Sequence, residues 1–253
     1  MRFGWAALFL ISIPLFAQEY EIQVYPGETV KPGTTMVELH SNFTFEGTKD
    51  YIDGVYPTEH QLHETVEITH GITDWFELGW YIFSSEGPGQ GWKWAGDHIR
   101  PRVRAPEEWK WPVNVSLSFE YGYQRPIFST DTWTLEIRPI VDKQIGRWYL
   151  SFNPTFDKSF HGLTKDQGYI FSPNFKAGYD ITKVVNAGFE YYGVLGPVGN
   201  FYPAAVQEQQ IFPDVDLNLS PNWEFNFGVG VGATRSTDHL LVKLILGYRF
   251  GKS

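Results

Sequence analysis

The stretch Pro112-Val113-Asn114-Val115-Ser116-Leu117-Ser118-Phe119-Glu120-Tyr121-Gly122-Tyr123-Gln124 alternates apolar and polar side chains without a break. Successive side chains of an extended chain point to opposite faces. Val113, Val115, Leu117, Phe119, Tyr121 and Tyr123 therefore share one face, and Asn114, Ser116, Ser118, Glu120 and Gly122 share the other. At about 3.3 Å per residue and a tilt near 45°, a run of this length crosses a hydrocarbon core of roughly 30 Å. Strands of soluble domains average only about five or six residues. The run is long enough to span a membrane.

The same alternation returns in Trp223–Val231 and His239–Phe250, and no convincing amphipathic helix interrupts it. Marking every such run gives about twelve, near 36–46, 61–72, 75–85, 97–106, 112–124, 131–143, 147–158, 168–181, 184–194, 209–220, 223–234 and 239–250. The connections alternate in length. Those around Thr73, Lys143–Gly146, Thr182–Lys183 and Pro221–Asn222 are a few residues long, whereas Gly47–His60 and Leu195–Glu208 are extended. Pro106–Trp111 is the least tidy of the short set. Short turns at one rim and long loops at the other predict an all-β fold. It is an antiparallel transmembrane β-barrel of the outer-membrane type, with about twelve strands, short periplasmic turns and longer extracellular loops.

Composition narrows the class. The 253 residues include no cysteine, which excludes a disulfide scaffold and thiolate metal chemistry. A mean hydropathy of −0.27 and the lack of a second long apolar run exclude a helical membrane protein. A net charge of −9 argues against nucleic acid as a partner. Arg2 followed by the charge-free run Trp5–Phe16 reads as an export signal, 1–17, too short to span a bilayer. The alternative is a buried N-terminal strand or helix. Cleavage after Ala17 leaves a periplasmic or lumen-entering segment, 18–35, ahead of the barrel, 36–253.

Periodicity alone does not say whether the apolar face meets a core or lipid, and an exported soluble β-sandwich for binding is the competing reading. Lipid is favoured by the charges on the polar faces, Lys176, Glu190, Asp214, Asp216 and Lys243 among them. It is favoured too by two expected aromatic girdles. Trp148, Tyr179, Trp223, Tyr248 and Phe250 form the periplasmic one; Tyr123, Trp133, Phe156 and Tyr169 form the outer one. The closing Tyr248-Arg249-Phe250 resembles a barrel-assembly signal, although three residues follow the Phe. Pro101, Pro139, Pro154, Pro173 and Pro213 cut the other way, because each removes a ladder donor and a barrel has no edge. Bulges or misplaced boundaries would account for them.

Several segments carry a family resemblance. They are Glu21-Ile22-Gln23-Val24-Tyr25, Pro32-Gly33-Thr34, Val37-Glu38-Leu39-His40, and the turn His70-Gly71-Ile72-Thr73-Asp74-Trp75-Phe76-Glu77-Leu78-Gly79. Later come Leu219-Ser220-Pro221-Asn222-Trp223, Gly228-Val229-Gly230-Val231-Gly232 and Leu246-Gly247-Tyr248-Arg249-Phe250. Together they resemble uncharacterised Gram-negative outer-membrane proteins related to the transporter family named for the meta-pathway of phenol degradation. The resemblance implies a barrel in the bacterial outer membrane and passage of small molecules, aromatic ones among them. Its motifs are turn and strand patterns, not catalytic signatures.

The sharpest chemical constellation is His98, Arg100, Arg102 and Arg104 on one face of the fourth run. Glu67, Glu77 and Glu120 fall on the same predicted face of other runs, and Glu136 and Arg138 join them. Stacked guanidiniums need carboxylates or an anionic ligand. Either they select anions, as charged rings do in pores, or they form a salt-bridge network that fills a narrow lumen. His60 and His63, flanked by Glu59 and Glu64, suggest a metal site, but positions three apart on a strand face opposite ways. A solvated loop mouth is the preferred reading. No histidine has Ser two residues away, as a lipid-face hydrolase on one strand requires, and no nucleophile elbow or zinc-protease signature occurs. The expectation is a passive pore or transporter, not an enzyme, without metal or other cofactor. Its partners are outer-membrane lipid, a small solute and the barrel-assembly machinery. A barrel with a plugged lumen that conducts nothing is the alternative.

Overall fold

The computed structural model describes residues 20–251; the predicted export signal lies outside them. The strands are β1 (Thr35–Glu46), β2 (Leu62–Thr73), β3 (Phe76–Glu86), β4 (Lys93–Arg104), β5 (Asn114–Gln124), β6 (Asp131–Ile145) and β7 (Trp148–Gly162). They continue as β8 (Ile170–Asp180), β9 (Val185–Val194), β10 (Gly196–Pro197), β11 (Glu208–Leu217), β12 (Trp223–Gly232) and β13 (Leu240–Phe250). All but the two-residue β10 are long, and those twelve close into one antiparallel ring. Thr35 stands opposite Phe250 where β1 meets β13. β10 pairs with the outer end of β8, continuing the line of β9 past Leu195.

Each predicted run overlaps one long strand. The periplasmic hairpins are tight: Gly146 (φ 62°) opens the two-residue link between β6 and β7, a left-handed position where glycine carries no Cβ penalty. The untidy fourth connection is an irregular stretch holding the short 3-10 turn Glu107–Trp109.

Burial runs opposite to that of a soluble protein. On β5, Ser116, Ser118, Glu120 and Gln124 are buried while Phe119 and Tyr121 are exposed. The same inversion leaves Leu78, Trp80, Ile99, Phe152, Phe189, Phe227 and Leu246 on the outside. An exposed apolar belt around a polar interior fits lipid, and the soluble sandwich is excluded by closure of the ring. Both girdles form. Trp148 stacks edge-on against Tyr179 (4.9 Å) and Trp223 against Tyr248 (4.8 Å) at one rim, and Tyr123 meets Trp133 (5.3 Å) at the other.

The prolines are accommodated without bulges. Register shifts fall at Thr44/Glu46, Gly71/Thr73, Phe83/Ser84 and around Trp133, never at a proline. Instead the pairing lapses for a few residues and resumes in the same register. Between β4 and β5 it stops after Ile99↔Tyr121 and returns at Arg102↔Ser118, which spans Pro101. Between β6 and β7 it stops after Ile137↔Phe156 and returns at Val141↔Phe152, spanning both Pro139 and Pro154. Between β11 and β12 it skips Pro213.

Residues 20–34 run inside the barrel. Tyr20 packs with Tyr81, Phe83 and Phe128 near the outer half, while Ile22 and Val24 pack with Tyr192, Phe212 and Leu241 across the lumen. The chain then descends to the periplasmic rim, where Pro32 bridges Gly71 and Gly33 turns it into β1.

Candidate functional site

The extended segment 20–30 has no strand beside it, so its backbone groups need other partners. Wall side chains supply them. Asn42 Nδ2 and Thr65 Oγ1 donate to the Tyr20 carbonyl (3.0 and 2.9 Å). Lys243 Nζ donates to the carbonyl of Ile22 (3.0 Å). Asn153 Oδ1 accepts from the Tyr25 amide (2.7 Å), and Ser151 Oγ and Asn153 Nδ2 donate to its carbonyl (2.8 and 3.1 Å). Asp142 accepts from the amide of Gly27, and Glu77 Oε2 from that of Val30 (2.5 Å). Arg102 donates to the carbonyls of Pro26 and Glu28 (3.1 and 2.7 Å). The polar inner face of the wall is thus a cradle for one strand of its own chain.

Eight of the nine residues expected to line the lumen border cavities inside the barrel, Arg104 lies at the periplasmic end instead, and the arginine ladder is paired throughout. Arg100 binds Glu67 (2.6 Å) and Glu77 (2.9 Å), and Arg102 binds Glu77 (2.7 Å). Arg104 reaches the periplasmic turn and meets Glu107 (2.8 Å), and Arg138 meets Glu136 (2.7 Å). Glu120 pairs with His98 (2.6 Å), not with an arginine. Of the two readings of the ladder, the contacts match the network that fills the lumen. At its centre stands Tyr25, with the guanidiniums of Arg138, Arg100 and Arg102 at 4.8, 5.3 and 5.7 Å from its ring. Each such cation–π contact adds to the hold on the segment.

A second network crosses the opposite wall. Lys176 Nζ contacts Glu190 (3.0 Å), Asp214 (2.7 Å) and Asp216 (2.8 Å), and Lys243 also binds Glu190. The alternation marks these as inward charges; only the strand order shows that four separate strands bring them together. Tyr25 and Asn153, uncharged in sequence, carry no signal of their central place. His60 and His63 part company: His60 sits at φ 58° in a loop, while His63 is buried edge-on against Tyr20 (4.5 Å). The expected shared loop mouth is therefore wrong for His63, because β2 starts one residue before it and turns it into the lumen.

Three cavities remain around the segment, and Gln23 borders each. The two toward the periplasm measure about 350 and 290 Å³. The outer one measures about 220 Å³ and is lined by Glu21, Glu120, Asp131, Glu136, Asp157 and Glu208 against His98, Arg138 and Lys158.

No protein-family model matches the chain, and no curated protein matches it in sequence. Solved structures do match. An outer membrane channel from Pseudomonas putida F1 superposes with a TM-score of 0.63 at 10% identity, covering 91% of this chain and all (100%) of that one. The KdgM porin matches with a TM-score of 0.55 at 9% identity, over 86% of this chain and 99% of its own. The NanC porin matches with a TM-score of 0.55 at 8% identity, over 86% and 100%. The fold is that of the outer-membrane barrels. Nothing in these matches ties the chain to the meta-pathway family in particular.

Proposed function

We propose that the protein is a channel for small polar solutes, held closed in this conformation by its own N-terminal segment. What supports the reading is the nature of the obstruction. The lumen is blocked by a single extended strand, gripped by side chains and not built into the sheet, with cavities on both sides of it. Withdrawing residues 20–30 leaves a polar passage along the barrel axis. Its outer cavity is richer in carboxylates than in basic groups, which favours cations over the anions that a bare arginine ladder would select. Passage of aromatic solutes draws on the family resemblance alone. The closing strand, ending at Phe250, is the segment we expect the assembly machinery to recognise.

Single-channel recordings test the proposal. The intact chain is expected to conduct in small or rare steps, and a chain lacking residues 20–30 in large, steady and cation-preferring ones. Folding of both is checked by the faster gel migration of unboiled barrel. A truncated barrel that folds and stays silent would sink the channel reading and leave a plugged structural barrel.

A further inference from the structure

His40 on β1 and Glu67 on β2 face the lumen from neighbouring strands, and Glu21 of the N-terminal segment reaches the same point from inside. One ligand atom from each lies within 4.8 Å of the other two. His40 Nε2 stands 3.4 Å from Glu67 Oε2. Ligands held tetrahedrally about 2.0–2.1 Å from zinc lie roughly 3.3 Å apart, so this edge is already set. His40 is 0% exposed, and apart from this 3.4 Å approach to Glu67 neither ring nitrogen has a hydrogen-bond partner. Glu67 Oε2 and Glu21 Oε1 are buried and lack one as well. Buried polar atoms in this condition are costly and uncommon. One shared cation satisfies all three residues.

Arg100 and Thr69 both hold Glu67 through Oε1 (2.6 Å each), which turns Oε2 toward His40. Hydrogen bonds of this kind orient the carboxylate ligands of metal sites.

We propose that Glu21, His40 and Glu67 form a binding site for a divalent transition-metal ion of the zinc class, tying the N-terminal segment to β1 and β2. One imidazole nitrogen and two carboxylate oxygens suit zinc, with a fourth position for water, whereas calcium and magnesium favour oxygen alone. Glu21 also borders the outer cavity, which gives the ion a path in. The site stands whether or not the barrel conducts.

The test is calorimetric titration of the chelator-treated, full-length barrel in detergent with zinc chloride, repeated with cobalt for its absorption spectrum. One equivalent is expected to bind. Glu21→Gln and His40→Gln should each weaken binding at least tenfold, while His60→Gln, altered in a loop, leaves it unchanged. Zinc should also raise the temperature at which the fast-migrating gel band is lost, except in Glu21→Gln. That variant changes no wall residue, so its barrel is expected to fold, and the fast band confirms it. The proposal fails if no saturable one-equivalent binding occurs, if both variants bind as tightly as the parent, or if His60→Gln abolishes binding.

Discussion

Leu117 and Ser118 are neighbours with opposite surroundings. Leu117 points to lipid, and a cation placed near the bilayer midplane of a barrel costs about 2–4 kcal/mol. Leu117→Arg should therefore lower stability in urea unfolding of lipid-reconstituted protein, by up to that amount. Sequence alone suggests that Ser118→Arg is milder, because Ser118 faces a polar lumen. The structure reverses that expectation. Ser118 is 2% exposed and lies directly opposite Arg102 on one side and Arg138 on the other. A third guanidinium there meets like charges across both strands. Ser118→Glu should be tolerated where Ser118→Arg is not, and equal penalties for the two would disprove this placement of the arginines. Arg102 itself joins Glu77 to two carbonyls of the N-terminal segment. Breaking a buried ion pair costs about 3–5 kcal/mol. Because Arg100 remains on Glu77, Arg102→Gln should fall at the lower end, read as a drop in the urea midpoint. A variant with parental stability and a changed ion preference would restore the arginines as a filter.

Among the elements, the outer loops are clasped at one point. Asp238, in loop 233–239, accepts from Thr58 Oγ1 (2.6 Å) and Thr44 Oγ1 (3.4 Å), drawing loop 47–61 against the barrel. Thr48 and Thr58 each donate a backbone amide to the other's hydroxyl (2.8 and 3.0 Å). Burial lifts the Asp238 carboxyl above the usual value of 3.8, against hydrogen bonds from Thr58, Thr48 and Thr44 that favour the ionised form. A folded-state value above the unfolded one means that the clasp is strongest below it and weakens as pH rises through it. Amide-exchange protection of Thr48 and Thr58, corrected for intrinsic rates, should be higher near pH 4 than near pH 7. Asp238→Asn should abolish the difference. No difference in the parent would take Asp238 out of control of the loop.

At the scale of the whole molecule, the wall was legible in detail, and its filling only as a choice between a periplasmic and a lumen-entering segment. The period-two alternation survives in every long strand because lipid and lumen make opposite demands on successive residues. The alternating link lengths then give the orientation. Residues 20–30 are extended too, and Ile22 and Val24 read like strand positions, but nothing local says that their partners are side chains of the wall. The pairing across the lumen is equally hidden. Arg100 reaches Glu67 two strands away because the combined registers of β2, β3 and β4 set that distance, and Lys243 reaches Glu190 because β13 and β9 belong to the same ring. His40, Glu67 and Glu21 come from three separate segments, whereas the sequence spacing draws attention to His60 and His63.

The proline-spanning lapses in pairing fall on only part of the ring. β13, β1, β2 and β3 carry none of the five prolines, and their pairing shifts register only near strand ends, at Thr44/Glu46 and Gly71/Thr73. Across the ring, Pro139, Pro154 and Pro173 lie side by side on β6, β7 and β8, and Pro101 interrupts the seam between β4 and β5. The ladder bonds are therefore unevenly shared around the ring. The residues that hold Tyr25 and its neighbours, Arg102, Arg138 and Asn153, stand on the strands whose pairing lapses.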